Sequence, residues 1–132
     1  MLKVLYEKEN LMSKTITIQR TVEKKHTAIE MKSGSLEVLA TPQMIAWMEE
    51  ASCQLLELEP GMTSVGTRMN VSHDKASPVG AQIEIQSTLV KQENRKLVFY
   101  VEAYQEGTCI GKGDHERFIV NSEKFLKRTY GN

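Results

Sequence analysis

The run TPQMIAWMEEASCQLLELEPG, residues 41–61, restricts the fold more than any other part of the 132-residue chain. Thr41 and Pro42 form a helix-start signal: a hydroxyl residue at the cap, then proline at the first helical position, where no backbone NH is missed. Pro60 and Gly61 stop the helix, so the run predicts one element from Thr41 to about Leu58. At roughly 100° per residue, Met44, Met48, Ala51, Leu55 and Leu58 mark the middle of an apolar stripe, with Ile45, Ser52 and Leu56 along one flank. Such a stripe has to be covered by the rest of the chain.

The rest of the chain alternates. KTITIQRTVE reads as a first strand with Ile16, Ile18 and Val22 on one face. TSVGTRMNVSH sets Val65, Thr67, Met69, Val71 and His73 on one side, and IEIQSTLV, KLVFYVEAY and CIGKGDHERFIV complete four further strands. The separators SPVG (77–80), QENR (92–95) and QEGT (105–108) are short and turn-rich, which predicts antiparallel hairpins between successive strands. SEKFLKR reads as one helical turn capped at Ser122. Residues 24–40 lack a clean period and form a loop with room for a short helical turn, a candidate lid. An antiparallel curved sheet wrapped around one long central helix is the economical way to bury that helix, giving a single α+β domain of hot-dog type over residues 1–132, with 1–13 as an N-terminal extension.

Seventeen basic residues balance seventeen acidic ones, so the broad positive field of nonspecific nucleic-acid binding is missing. No apolar run approaches the ~20 residues of a membrane span, and charges break up the apolar patches of MLKVLYEKENLMSK; no membrane association and a cytoplasmic location are expected. Cys53 and Cys109 lie far apart without CxxC or metal-ligand spacing, so both read as reduced, small core residues and no metal is expected. Phosphate-loop, dinucleotide, serine-hydrolase and zincin motifs do not occur.

The two adjacent carboxylates of the helix are not equivalent. Glu50 falls with Ala46 and Glu57 on the face toward water, whereas Glu49 falls beside Ile45 and Leu56, at the margin of the stripe. A carboxylate against an apolar wall loses hydration and needs a donor or a positive group to keep its charge. Strand parity places His73 within reach of Glu49, although a rim histidine bonded to a backbone carbonyl fits the same position. Gly66 inside a strand marks a bulge or a close backbone approach to a ligand. Arg117 shares its face with His115 and with Gly111 and Gly113, which leave space; it reads as either a site residue or a surface ion pair.

VLATPQMIAWMEEA, TSVGTRMNVSHDKASPVG and IGKGDHERFIV together resemble the hot-dog thioesterases of the fluoroacetyl-CoA thioesterase type, in order and at compatible spacing from about residue 14 to about 128. The resemblance implies an acyl-CoA thioesterase with Thr41, Glu49 and His73 catalytic, Gly66 near the thioester carbonyl and Arg117 contacting substrate. It implies a homodimer, open to further pairing into a tetramer, with sites at the protomer interface and no cofactor beyond the coenzyme A of the substrate. The lid of that family is aromatic, whereas KKHTAIEMKSGSLEVL contains no Phe, Tyr or Trp, which points to another short or medium acyl group. Lys124, Lys127 and Arg128 are candidates for the coenzyme A phosphates. A non-catalytic acyl-CoA binding protein and a hot-dog hydratase or dehydratase are the rival readings.

Overall fold

A computed structural model describes residues 14–131; the 1–13 extension lies outside the described residues. Strand β1 (Thr15–Thr21) leads into a 3-10 turn (Lys24–His26), a short helix α1 (Ala28–Met31) and the long helix α2 (Thr41–Leu55). Strands β2 (Met62–Val71), β3 (Gln82–Glu93), β4 (Lys96–Gln105) and β5 (Thr108–Asn121) follow, and helix α3 (Ser122–Tyr130) ends the described chain. All five strands form one antiparallel sheet in the order β1-β3-β4-β5-β2. Among the described residues no helix is long and apolar enough to cross a membrane.

Helix α2 lies in the hollow of the sheet, chiefly against β3 with β1 and β4 beside it. The stripe is buried as its spacing requires: Met44, Met48 and Ala51 are sealed, with Trp47 and Leu55 nearly so. They meet Ile83, Ile85 and Leu89 of β3 and Leu97, Phe99 and Val101 of β4. Burying each large apolar side chain contributes roughly 1.5–3 kcal/mol, so this interface is a large favourable contribution to the fold. Within it, Ser52 Oγ bonds Met48 O (2.9 Å) and Ser87 Oγ (2.8 Å), which satisfies both buried hydroxyls.

The helix is three residues shorter than its pattern suggests. Leu56 adopts an extended conformation and its NH closes the last turn on Cys53 O (3.1 Å), so Leu56 and Leu58 reach the core from outside the helix. Cys53 is exposed and Cys109 half-buried, so neither is the core residue expected. Glu50 is not free in water either, since it pairs with Arg20 of β1. Helix α3 runs to nine residues and is capped by Asn121, whose side chain accepts from Lys124 NH (2.9 Å), in place of Ser122.

The β3–β4 and β4–β5 connections are hairpins, with Asn94 and the pair Glu106–Gly107 at the positive φ that tight turns need. SPVG is not a hairpin turn. Strand β2 pairs with β5 on the far edge, and residues 72–81 cross the open end of the sheet, held by Asp74 N→Ile110 O (2.6 Å), Leu39 N→Ser77 O (2.8 Å) and Gly80 N→Val22 O (2.7 Å). Local turn chemistry had no access to this, because placing β2 beside β5 depends on pairing residues about fifty positions apart.

Candidate active site

Two polar clusters lie on α2, and each is set up by a local departure from regular geometry. The first is at the start of the helix. Ala40, not Thr41, is the N-cap, and no side chain caps the helix; Thr41 is the first helical residue. Its hydroxyl is thereby released from capping and lies 2.7 Å from Nδ1 of His73. β2 ends at Val71, so His73 sits in the crossover loop rather than at the end of the strand, and it meets Thr41 rather than Glu49. The His73 Nε2 atom is buried without a hydrogen-bond partner. Burial lowers the His73 pKa, against the opposing pull of the Asp74 charge and of a bond with the Lys75 backbone, so the imidazole is favoured in its neutral form. Asp74 is held by Ser72 Oγ (2.7 Å).

A cavity of about 240 Å³ opens beside this pair, lined by Ala28, Ser33 and Val38 of the 24–40 segment and by Asp74 and Lys75 of the crossover. The segment is anchored rather than loose, with the bridge Thr27↔Leu39 at its base and Ala28 N→Val38 O (2.8 Å) above it.

The second cluster surrounds Glu49, one side of which faces β2 and β5. A bulge between Gly66 and Arg68 reverses the side-chain parity of β2: Ser64 and Gly66 point inward before it, opposite Ile119 and Arg117, and Met69 and Val71 point inward after it, opposite His115 and Gly113. Val65 and Thr67, expected on the inner face with Met69, therefore point outward. Gly66 is brought under Glu49 so closely that a Cβ there would lie 2.5 Å from Oε2. Arg117, nearly sealed, donates Nη1–H to Glu49 Oε2 (3.3 Å), Nε–H to Ser64 Oγ (2.8 Å) and Nη2–H to Ser64 O (3.0 Å). Gly111 and Gly113 do not leave space: a side chain at Gly111 would strike Ser72 O and Met44, and one at Gly113 would strike the backbone of Asn70 and Val71.

Gly66→Ala is expected to leave the fold intact, because the clashing atom is the free end of a flexible side chain, and to displace the carboxylate. A shift of about 1 Å at a reacting group lowers turnover on the order of 100-fold, so kcat should fall by that amount while the melting temperature barely moves. An unchanged kcat in the Ala variant would show that Glu49 need not sit against Gly66.

Thr41 and Glu49 are eight positions apart on one helix, a rise of about 12 Å. One chain therefore holds two separate clusters, each a candidate half-site: Thr41 with His73, and Glu49 with Gly66 and Arg117. Sequence reasoning missed His115 and Ser64 as parts of the second. The parity of His115 with Arg117 was visible, but Ser64 became an inward residue only through the bulge. Among the described residues no three His, Cys, Asp or Glu side chains gather as a metal site. Of the basic residues of α3, Lys127 pairs with Glu123 (3.6 Å), whereas Lys124 and Arg128 join Arg95 around a shallow groove of about 130 Å³ lined by Phe118 and Phe125.

Residues 22–123 match the model of the fluoroacetyl-CoA-specific thioesterase family. The chain belongs to that family. It is 38% identical over 91 residues to the fluoroacetyl-CoA thioesterase of Streptantibioticus cattleyicolor, a match spanning 67% of this chain and 66% of that relative's length. A solved variant of the fluoroacetyl-CoA-specific thioesterase in complex with fluoroacetate and CoA superposes with a TM-score of 0.80 at 32% identity, over 84% of this chain and 95% of the other. A hot-dog-like protein from Thermanaerovibrio acidaminovorans has a TM-score of 0.81 at 22% identity, over 89% of this chain and 88% of the other, and shares the fold. The hot-dog architecture expected from the strand and helix pattern is the one the family has.

Proposed function

We propose that this protein is an acyl-CoA thioesterase that hydrolyses a short or medium acyl-CoA to the free acid and CoA, working as a homodimer whose active site combines the two half-sites across the interface. The observation that carries this reading is the unpartnered, buried Nε2 of His73 in one half-site, together with Glu49 in the other, which spends only Oε2 on Arg117. Strand β2 is one of the two edges of the sheet among the described residues, β1 being the other. Antiparallel pairing of β2 with a second copy about a two-fold axis at Asn70 would set Met69 opposite the partner's Val71 and, with Thr67 taken up by the bulge, the partner's His73 opposite Gly66, next to Glu49.

In this arrangement Glu49 supplies the basicity for attack on the thioester carbon, either by taking a proton from water or by bonding to the carbon itself as a mixed anhydride. Turnover in H₂¹⁸O separates the two, since only the anhydride route carries solvent oxygen into the Glu49 carboxylate. As the C–O bond forms, the carbonyl oxygen gains charge and turns toward the main chain at Gly66, where the bulge interrupts the ladder. The C–S bond then breaks; in the water route the proton taken by Glu49 passes through the partner's His73, steadied by the partner's Thr41, to the leaving thiolate, and in the anhydride route that proton comes from the water that afterwards cleaves the anhydride and frees the acid and Glu49. Arg117 stays protonated and positions the carboxylate. The cavity of about 240 Å³ beside Thr41 and His73 suits a small acyl chain, and the residues lining it include no Phe, Tyr or Trp. The groove of Arg95, Lys124 and Arg128 with Phe118 and Phe125 fits the phosphates and base of coenzyme A.

The test is thiol release from acetyl-, butyryl- and longer acyl-CoAs with identification of the products. Free CoA together with the free acid, and a kcat/KM highest among the shorter chains, is expected. Conversion of an enoyl-CoA to a 3-hydroxyacyl-CoA without thiol release would replace the reading by a hydratase, and stoichiometric binding of intact acyl-CoA would replace it by a binding protein.

A further inference from the structure

Beside Arg117 lies a histidine that the proposed reaction does not use. His115 is 1% exposed, and both of its ring nitrogens are engaged. Nδ1 lies 2.8 Å from the carbonyl oxygen of Arg68, which only accepts, so Nδ1 carries the proton. Nε2 lies 3.3 Å from Nη1 of Arg117, which only donates, so Nε2 presents its lone pair. Arg68 adjoins the bulge in β2, and Phe99 of β4 packs against the ring at 5.8 Å between centroids, tilted by 30°.

We infer that His115 is a positioning residue: as the neutral Nδ1–H tautomer it takes one of the two Nη1 protons of Arg117 and so directs the other to Glu49. The inference rests on the proposed roles of Glu49 and Arg117. The guanidinium is held at three corners, by Ser64 through Nε and Nη2 and by His115 through Nη1. Take His115 away and Nη1 has Glu49 alone, so the carboxylate is drawn along the guanidinium edge and away from the cleft. The charges facing the ring are Arg117 and Glu116 on β5 and Glu49 on α2; burial, reinforced by Arg117 and opposed by the two carboxylates and by the bond to Arg68, lowers the imidazole pKa and keeps the ring neutral. A protonated ring would turn two N–H donors toward each other and break the relay.

Two amides divide the duties of the ring. In His115→Gln the longer side chain places an acceptor near Nε2, and in His115→Asn the shorter one keeps a donor near Nδ1 for Arg68. The Gln variant is expected to stay within about 3-fold of the wild-type kcat, whereas the Asn variant and His115→Phe lose roughly 30-fold or more with KM little changed, as expected of a misplaced rather than missing group. A structural role would give the opposite order, because the bond to the backbone is the one Asn preserves. Imidazole ¹⁵N NMR of the whole protein reads the tautomer directly, and the Arg117 Nε–H signal is expected to exchange slowly in the wild type and faster in the Asn variant. Equal kcat for Gln and Asn, or an Nε2–H or doubly protonated ring in the wild type at pH 7, overturns the inference. Should Glu49→Gln itself leave turnover intact, the proposed site fails instead, while the NMR measurements still decide whether His115 holds Arg117.

Discussion

Glu49→Gln is expected to lower kcat for acyl-CoA hydrolysis by about 1,000-fold, within the range that a positioned general base or nucleophile contributes, with KM within a few-fold of wild type. The substitution isolates the charge. Glutamine has nearly the same shape and still offers an oxygen to Nη1 of Arg117, so the guanidinium keeps its place while the basicity is removed. The fold should tolerate the change: the Glu49 side chain is 41% exposed in the single chain, so its ion pair with Arg117 is partly screened by solvent and adds little to stability. A melting temperature close to wild type together with the loss of turnover separates a chemical from a structural effect. Near-normal turnover in the Gln variant would remove Glu49 from the mechanism.

The second large effect tests where the site is, rather than what is in it. Thr41→Ala and Glu49→Gln are each expected to give nearly inactive dimers, yet mixing the two after dissociation should restore activity. In a heterodimer one interface site collects both substitutions and the other collects neither, so a random mixture, half of it heterodimer, should approach about a quarter of the wild-type activity. If Thr41 and Glu49 acted within one protomer, every site in the mixture would carry a lesion and nothing would return. The distance of about 12 Å between these residues along α2 favours restoration. Absence of any recovery from a mixture shown to contain heterodimers would refute the shared site.

The helix and the inner faces of β3 and β4 were legible because their hydrophobic period is strict: Met44, Met48, Ala51 and Leu55 on one side meet Ile83, Ile85, Leu97, Phe99 and Val101 on the other. The peculiar position of Glu49 was legible for the same reason, as an acid at the margin of that period. Three things were not. The partner of His73 depended on the path of the chain beyond Val71, which is held by Ser72 N→Lys112 O and Asp74 N→Ile110 O, bonds to β5 that no residue near the histidine announces. The parity of Val65 and Thr67 was lost at the bulge, for which Gly66 was a visible sign without a direction. The neighbour of β2 was hidden because the separator between β2 and β3 resembles a turn, whereas both sides of β3 are taken by β1 and β4. Thr41 was read correctly as belonging to the helix start and incorrectly as its cap; a proline within the first turn does not distinguish the two, and the buried Ala40 occupies the capping position.

The extra residue in β2 has a bearing on how such a chain can vary through descent. Residues 72–81 cross an open end of the sheet, where length can drift without disturbing the facing of any strand. Thr67 stands at a point of phase: deleting it, or inserting one neighbour, would swap inside for outside along half of β2, ejecting either Ser64 and Gly66 or Met69 and Val71 from the interior. Descendants that preserve the reaction are thus free to change the crossover only beyond the stretch that places His73 against Thr41, and must keep the count of residues between Gly66 and Met69.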